Sequence, residues 1–250
     1  MIKLPISKYR VFDMPKIVIF SGAGMSAESG IHTFRDGNGL WQNYKIEEVA
    51  TPDAWQKNPE LVQRFYNARR KDILAAQPNV AHQLIAKIQN FADCSVITQN
   101  IDDLHERAGS AEVLHLHGNI RLAKSSAPDA QYSETFYPIH GAELNLERDH
   151  CPQGYALRPH VVWFGEAVPA YETALQRVQA ADIFIVIGSS LVVYPVAGLI
   201  HEISKHCEAY YIDPKADYLR VPAQYHLIAQ TATQGMQHLF DALQQRFLIT

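Results

Sequence analysis

Short apolar runs alternate with longer stretches of mixed polarity along the chain. Each run is four or five residues long, a length that suits a strand better than a helix. Because the runs are continuously apolar, they predict strands that are covered on both faces, as in a mainly parallel sheet. We expect the small or polar residues after several runs to face a common crevice beyond the strand ends. The six runs are residues 17–20, 95–98, 113–116, 160–164, 183–187 and 209–212.

Helical patterns lie between these runs. Residues 59–74 open with a proline at a helix-starting position and carry spaced apolar residues. Similar patterns cover residues 79–91, 170–181 and 234–247. Strands that alternate with helices predict an α/β fold with a Rossmann-like parallel sheet.

Two stretches interrupt this alternation and are too long for ordinary sheet connections. The second stretch, residues 122–157, has the serine, proline and glycine content of a loop. We therefore expect a single domain over residues 1–250 in which two insertions form a second, smaller lobe. The predicted large lobe covers about residues 1–32, 78–120 and 158–250, and the small lobe covers about residues 33–77 and 121–157.

Composition limits the classes of function that the chain can have. Of its 250 residues, 47% are hydrophobic and 19% are charged, which is enough to bury a full core. The 22 basic and 26 acidic residues leave a net charge of −4, so there is no general electrostatic basis for binding nucleic acid or a membrane surface. No segment approaches the roughly 20 apolar residues of a membrane span.

The three cysteines, Cys94, Cys151 and Cys207, are widely separated. A sparse, odd-numbered set argues against a disulfide framework and fits a reducing compartment. Residues 1–15 also lack the uninterrupted apolar run of a signal peptide. We therefore expect a cytoplasmic protein.

A glycine-rich turn follows the first predicted strand. Gly22, Gly24 and Ala27 satisfy the G-x-G-x-x-A pattern of a dinucleotide turn at a strand-to-helix junction. Glycines let the backbone approach a pyrophosphate, and the following helix points its amide groups at the charge. A tight turn of an ordinary α/β protein is the alternative. A dehydrogenase is disfavoured, because Glu47 and Glu48 are not at the end of a strand, where that fold places its ribose-binding acid.

Residues 31–41 form a glycine-rich stretch after this turn. Such a loop suits closure over a ligand better than continuation of a sheet. Phe34 is a candidate for shielding a reactive centre from water. Arg35 is a candidate for binding a phosphate or a carboxylate. Simple packing is the alternative for Phe34.

Polar residues follow two of the predicted strands. Asn100 and Asp102 come after residues 95–98, and His117 comes after residues 113–116. In a parallel sheet these groups lie on the same side as the glycine turn. A histidine with a pKa of about 6.5 is a candidate general base near neutral pH. Asn100 and Asp102 are candidates for hydrogen bonds to a carboxamide such as that of nicotinamide.

Six motifs, in this order, resemble those of the sirtuin family. They are residues 22–31, 33–35, 98–102, 115–118, 161–166 and 188–190, and the match spans roughly residues 16–232. The resemblance implies an NAD-consuming enzyme with a large Rossmann-like domain and a small helical and zinc-ribbon lobe. It also implies that NAD and an acyl-lysine protein or peptide meet in the cleft between the lobes.

The resemblance assigns roles by motif position. His117 corresponds to the catalytic base. In the family's mechanism the acyl oxygen attacks the nicotinamide ribose carbon, nicotinamide leaves, and the histidine deprotonates a ribose hydroxyl, which gives free lysine, nicotinamide and O-acyl-ADP-ribose. The implied NAD site consists of Gly22, Ala23, Gly24, Phe34, Arg35, Gln99, Asn100, Asp102, Gly188, Ser189, Ser190, Asp213 and Ala232.

The motif at residues 161–166 is a candidate peptide-binding segment. An extended segment at a cleft binds a peptide backbone by adding a strand. We expect this contact from Val162, Trp163, Phe164 and Gly165. For Val162 an apolar core strand is the alternative.

Tyr66 and Arg69 stand three residues apart on the helix predicted at residues 59–74, and so share a face. A guanidinium and a phenol that project together form a site for a carboxylate at the end of an acyl chain. The pair resembles that of the bacterial class III sirtuins, which are of the desuccinylase and deacetylase type. We therefore expect removal of succinyl and malonyl groups, and acetyl is not excluded.

The chain departs from the sirtuin pattern at two points. Most sirtuins hold a structural zinc with two pairs of cysteines, whereas Cys151 is the one cysteine in the corresponding stretch here. Its spacing matches no familiar zinc pattern, so we predict that the small lobe holds no structural zinc. Asp213 stands where relatives commonly carry asparagine at the adenosine ribose, and its carboxylate can still accept from ribose hydroxyls.

Two other functions stay open at this point. The same site could hydrolyse NAD or transfer ADP-ribose to a protein, with another nucleophile in place of the acyl oxygen. A non-catalytic NAD-binding module is the second alternative, and the presence of His117, Asn100 and Asp102 argues against it. Neither the oligomeric state nor the physiological substrates follow from the sequence.

Overall fold

The computed structural model describes residues 14–32, 40–41, 44–128 and 135–248. A six-stranded parallel sheet forms its centre, in the order β11-β10-β9-β1-β4-β5. The strands are β1 (Lys16–Ser21), β4 (Asp93–Thr98), β5 (Val113–His115), β9 (Ile183–Ile187), β10 (Glu208–Ile212) and β11 (Tyr225–Ile228). The predicted α/β fold with a parallel sheet is confirmed.

Both faces of this sheet are covered, which explains why its strands are continuously apolar. Ile17 and Ile19 point to a layer that contains α5 (Val80–Ile88) and α8 (Ala232–Leu248). Val18 and Phe20, the alternate residues of β1, point to a layer that contains α7 (Tyr171–Gln179) and a 3-10 helix (Val196–His201). Among the described residues, no helix is long and apolar enough to cross a membrane.

The sheet order places a crevice beside β1. From β1 the chain runs outward through β4 and β5, then returns to the other side of β1 and continues through β9 to β11. The loops that follow β1 and β9 therefore leave the sheet in opposite directions. Ligands of open α/β sheets bind at such a switch point, beyond the carboxyl ends of the strands.

The predicted strand at residues 160–164 was placed in the wrong sheet. Residues Leu157–Val161 form β8, which pairs with β6 (Gly118–Ser125) in an antiparallel sheet that also contains β7 (Tyr137–Pro138). The prediction that residues 122–157 are loop-like was also wrong at its start, which belongs to β6. An apolar run indicates burial, but it does not identify the sheet that provides the cover.

The remaining elements pack beside the crevice. A two-stranded ribbon, β2 (Leu40–Trp41) with β3 (Tyr44–Lys45), leads into α2 (Ile46–Val49), α3 (Pro52–Lys57) and α4 (Pro59–Ala75). Thr51 and Asn58 cap α3 and α4 with their side-chain oxygens, and a proline follows each cap. Two single-turn helices, α1 (Gly24–Ala27) and α6 (Leu104–Arg107), and a 3-10 turn (Ala216–Tyr218) complete the fold.

Candidate active site

The glycine turn packs directly against the loop that follows β9. Gly22 donates its backbone N–H to Ile187 at 3.0 Å, and Gly24 donates to Gly188 at 2.8 Å. A Cβ atom on Gly188 would lie 2.2 Å from the Met25 nitrogen, and Gly188 has a φ of +60°. Only glycine permits this approach and this conformation together. The loops after β1 and β9 therefore form one continuous backbone surface at the base of the crevice, here called the floor.

Side chains join this floor to the loop after β4. Gln99 donates its amide to the Ser189 hydroxyl at 2.9 Å. Asn100 donates to the Ser26 hydroxyl at 3.1 Å, and Ser26 donates to a carboxylate oxygen of Asp102 at 2.9 Å. Burial raises the pKa of Asp102, although the hydrogen bonds from Ser26 and Leu104 act in the opposite direction. The result is a buried polar chain at the end of β4.

His117 lies at the end of β5 and lines the same cleft. Its Nδ1 atom is 2.9 Å from the carbonyl oxygen of Gln99. A carbonyl can only accept, so Nδ1 carries the hydrogen and Nε2 keeps its lone pair. Burial lowers the pKa of His117, against a smaller opposing effect of the Gln99 carbonyl. The imidazole is therefore neutral, and hence a base, at neutral pH.

Tyr66 and Arg69 approach the cleft from α4. Both side chains are buried, and both line the cleft. The Tyr66 hydroxyl accepts a hydrogen bond of 3.2 Å from the indole Nε1–H of Trp163. Burial lowers the pKa of Arg69, while the nearby Asp72 and Asp102 raise it. Burial likewise raises the pKa of Tyr66, so the phenol keeps its proton.

Residues 162–166 form a turn at the edge of the cleft, whereas the sequence predicted a strand up to residue 164. Glu166 accepts the backbone N–H of Trp163 at 2.9 Å and thereby closes the turn. Gly165, with a φ of +95°, allows this closure. Val162 donates to the carbonyl of His117 at 2.9 Å, and Phe164 donates to that of Ala50 at 3.0 Å. The turn therefore links the segment between β5 and β6 to the helical insertion.

A single cleft of about 310 Å³ collects most of the predicted residues. From the predicted NAD and catalytic set it is lined by Gly22, Ala23, Gly24, Gln99, Asn100, Asp102, His117, Gly188, Ser189, Ser190 and Asp213. From the predicted substrate set it is lined by Tyr66, Arg69, Val162, Trp163, Phe164 and Gly165. Ala232 is buried at the start of α8 and does not line the cleft. Phe34 and Arg35 lie outside the described residues.

Sequence reasoning missed the residues that support this lining. Ser26 was visible inside the glycine motif, but nothing local indicated its bonds to Asn100 and Asp102. Arg158 stacks 3.7 Å above the Trp163 ring and forms an ion pair with Glu166. Such pairs connect different elements, so the local pattern does not reveal them. Apolar lining residues were also missed, namely Ile31, Ala50, Ile73, Ile101, Val168, Val192, Val193 and Pro195.

Comparison with known proteins identifies the family. The Sir2 family profile matches residues 22–195, which include the glycine turn, His117 and the turn at residues 162–166. The chain belongs to the Sir2 family. Predicted membership of the sirtuins is therefore confirmed.

Curated sirtuins resemble the chain over most of its length. An NAD-dependent protein deacylase of Bacteroides thetaiotaomicron is 46% identical over 236 residues, which cover 92% of this chain and 98% of the relative. A protein of the same name from Helicobacter pylori is 45% identical and covers 92% of this chain and 98% of the relative. One from Escherichia coli K12 is 44% identical over 78% of this chain and 70% of the relative.

Solved sirtuin structures share the fold. A Sir2 homologue in complex with NAD superposes with a TM-score of 0.81 at 37% identity and covers 95% of this chain and 92% of that chain. A complex of Sir2 with a p53 peptide and NAD⁺ gives 0.71 at 30% identity, over 93% of this chain and 95% of that chain.

The residues of this sirtuin do not fit the structural zinc of its family. Cys151 is buried, and its sulfur accepts a hydrogen bond of 3.3 Å from Ser125. Within the described parts of the chain, no three histidine, cysteine or acidic side chains come together as a metal site. A thiol paired with a hydroxyl is not a zinc donor set.

Asp213 lies directly after β10 and lines the same cleft as Tyr66. Its carboxylate accepts the backbone N–H of Lys215 at 2.8 Å, which fixes the side chain. One carboxylate oxygen is used in this way, and a carboxylate can accept further hydrogen bonds. The substitution for asparagine is therefore compatible with a hydroxyl-rich ligand at this position.

Proposed function

We propose that this sirtuin removes acidic acyl groups, succinyl and malonyl, from lysine side chains of proteins, and that acetyl-lysine is a secondary substrate. NAD and water are the co-substrates, and free lysine, nicotinamide and O-acyl-ADP-ribose are the products. The coarser assignment, an NAD-dependent protein deacylase, rests on the curated relatives. The observation that carries the acyl preference is the presence of Tyr66 and Arg69 in the same cleft as His117.

Arg69 provides the selectivity for a carboxylate. Its side chain is 4% exposed, so water contributes little to solvating the guanidinium. A succinyl carboxylate that enters the cleft would form charge-assisted hydrogen bonds with Arg69. Tyr66 projects from the same face of α4, so its hydroxyl is available to the same carboxylate. An acetyl group offers no such anion. Binding therefore favours the longer, charged chain.

His117 provides the base. NAD supplies an ADP-ribosyl group whose bond to nicotinamide is the one that breaks. The Nδ1–H of His117 is held by Gln99, so the imidazole presents Nε2 to accept a proton from a hydroxyl of the ribose. Gln99 in turn bonds to Ser189, so the base and the loop after β9 are held in one network.

Asn100 and Asp102 are the proposed partners of the nicotinamide carboxamide. Their side chains are buried and joined through Ser26, which fixes their orientation. The protein substrate is proposed to lie along residues 162–165, where the turn presents its backbone at the cleft edge. The solved Sir2 complex with a p53 peptide and NAD⁺ supports a peptide as the substrate, and its position along residues 162–165 is part of the proposal.

A cytoplasmic location is part of the proposal. Cys94, Cys151 and Cys207 are all free thiols in the structure. Free thiols suit a reducing compartment. The net charge of −4 also supports protein substrates over nucleic acid.

The test compares matched acetyl-lysine and succinyl-lysine peptides by mass spectrometry, with and without NAD, for the wild type and Arg69→Met. We expect NAD-dependent loss of succinyl, and Arg69→Met lowers kcat/KM for the succinyl peptide about 30-fold or more, the cost of one charge-assisted contact. Acetyl removal changes much less. Arg64→Met is the matched control, because Arg64 is exposed on the same helix.

Each failure has its own meaning. Equal losses for both peptides in Arg69→Met would remove the acyl preference but leave the deacylase assignment. NAD consumption with both peptides unchanged would replace deacylation by NAD hydrolysis or ADP-ribosyl transfer. His117→Ala distinguishes either reaction from a contaminant, because it should abolish NAD consumption.

A further inference from the structure

Two histidines at the end of β5 hold successive carbonyl groups of the loop after β4. His117 contacts the carbonyl of Gln99, and His115 contacts that of Asn100 through its Nδ1 atom at 2.9 Å. His117 is the proposed base, whereas the deacylase mechanism gives His115 no task. The side chain of His115 is 10% exposed, so this second contact is shielded from water.

The second nitrogen of His115 contacts a carboxylate. Its Nε2 atom lies 2.7 Å from an oxygen of Glu106 on α6, and the Asn119 amide is a longer contact at 3.3 Å. A carbonyl and a carboxylate only accept hydrogen bonds. Because the carboxylate lies much closer to Nε2 than the Asn119 amide does, we assign a hydrogen to both ring nitrogens, so that His115 is an imidazolium.

The surroundings of His115 favour this charge. Burial lowers the pKa of His115, but the hydrogen bond and charge of Glu106, the Asn100 carbonyl and the charge of Asp102 outweigh burial and raise the pKa above its usual value. The other titratable groups that interact with His115 are His105 on α6 and His160 on β8. Burial lowers the pKa of both of these histidines, so they are neutral where His115 is charged.

We propose that the His115–Glu106 ion pair is a positioning device for the nicotinamide end of the NAD site, and that the charge on His115 is required for it. The imidazolium bridges the carbonyl of Asn100 to the carboxylate of Glu106 on α6, whose side chain is 37% exposed. Asn100 then presents its side chain to Ser26 and Asp102. A neutral ring keeps one N–H, and the carboxylate of Glu106 is a stronger acceptor than the carbonyl of Asn100. Loss of the proton therefore removes the hydrogen bond to the Asn100 carbonyl and releases it. This inference rests on the proposed role of Asn100 and Asp102 toward the carboxamide.

The pair should also define the alkaline limit of NAD use. His117, which must be neutral, sets the acid limb of kcat/KM for NAD, and His115, which must be charged, sets the alkaline limb. Glu106 raises the pKa of His115, so neutralising Glu106 should move the alkaline limb to lower pH and leave the acid limb in place. Lys124 is a second group that could lose a proton in this pH range, because burial lowers its pKa to about 8. It interacts with Arg158 and Glu166, near the proposed acyl site. The variant Lys124→Met therefore shows whether the alkaline limb comes from Lys124.

The experiment measures binding and turnover of Glu106→Gln, with Glu112→Gln as the control. Glu112 pairs with Arg177 and its side chain is 62% exposed. NAD and ADP-ribose are titrated by calorimetry, since ADP-ribose lacks the nicotinamide. We expect Glu106→Gln to weaken NAD about tenfold, the loss of one charge-assisted hydrogen bond. ADP-ribose affinity, the KM for the acyl peptide and the melting temperature should change little, and Glu106→Asp should recover part of the loss.

Three results would overturn the proposal. Equal weakening of NAD and ADP-ribose would mean that the pair supports the whole site and not its nicotinamide end. An unmoved alkaline limb would mean that the charge on His115 has no functional role. A lower melting temperature with uniformly lower activity would make the pair a structural contact. Absence of deacylation in the wild type would contradict the proposed function, whereas the calorimetric comparison would still test the ion pair.

Discussion

The glycine turn on one side of the cleft rests on strands, whereas Tyr66 and Arg69 on the other side rest on a helix that packs in an apolar cluster and also forms buried polar bonds. Around the turn, β1 lies between β4 and β9, and its residues 17, 19 and 20 are fully buried. Around α4, a fully buried arginine, Arg70, donates to the carbonyls of Ile120 at 2.7 Å and Ala142 at 2.8 Å. The proposed NAD side is thus fixed by sheet pairing, whereas the proposed acyl side combines an apolar cluster around α4 with a few directed bonds from polar side chains.

The same contrast appears at the loop before residue 145. Gln63 and Asn67, which are on the Arg70 face of α4, donate to the carbonyl of Leu144 at 2.8 and 3.0 Å, and Asn67 accepts the backbone N–H of Leu144 at 3.1 Å. These bonds fasten a loop that carries little secondary structure. Removal of one member of such a network leaves its partners without a hydrogen bond, which is costly where they are buried. The acyl side should therefore be the easier side to loosen by a single substitution.

The largest effect is expected from Arg70→Met. This change leaves the buried carbonyls of Ile120 and Ala142 without their donor and should lower the free energy of unfolding by about 3 kcal/mol. In a chain of this size the melting temperature should fall by roughly 6–12 °C. Hydrogen exchange should accelerate in β6 and the loop at residues 142–144, while β1 and β9 keep their protection. Equal acceleration in β1 would show that the two sides are not separately stabilised.

A smaller effect is expected on the sheet side from mild acid. His82 on α5 is fully buried, and its Nδ1 accepts the N–H of Asn79 at 3.3 Å, which requires the neutral ring. Burial lowers the pKa of His82 to about 4. Between about pH 6.5 and pH 4 the unfolded chain therefore binds a proton that the native state does not, and stability falls as the pH decreases. At pH 5 the loss should be about 2 kcal/mol from His82 alone.

Urea unfolding at a series of pH values measures this loss. His82→Gln should remove about 1.4 kcal/mol per pH unit from the slope below pH 6.5, which is the share of one histidine. His105, whose pKa burial also lowers, should leave a residual slope. Replacement of the exposed His226 by Gln is the control for the removal of one histidine. An unaltered slope in His82→Gln would mean that His82 is already protonated in the native state.

Sequence reasoning was most successful where geometry forces convergence. Polar residues after β1, β4, β5 and β9 had to meet, because parallel strands end at one edge of the sheet. Sequence reasoning failed for contacts between segments that are distant in the chain. Trp163 was predicted in the parallel sheet, yet its indole contacts Tyr66, which is 97 residues away in the chain. Alternation and apolar runs give burial, and they contain no information about such a partner.

The smallest effect is expected from Trp163→Phe. This variant tests whether a single directed bond orients Tyr66 on the proposed acyl side. Phenylalanine keeps an aromatic face for the Arg158 guanidinium but removes the Nε1–H that holds the Tyr66 hydroxyl. One neutral hydrogen bond is worth about 1 kcal/mol, so kcat/KM for a succinyl peptide should fall about fivefold, with acetyl removal within twofold of the wild type. Trp55→Phe is the control, because the Trp55 ring lies 5.8 Å from that of Trp163 and donates no bond to Tyr66 in the structure. An equal fall for both peptides would place Trp163 in peptide binding, and the orientation of Tyr66 would then be a property of α4 alone.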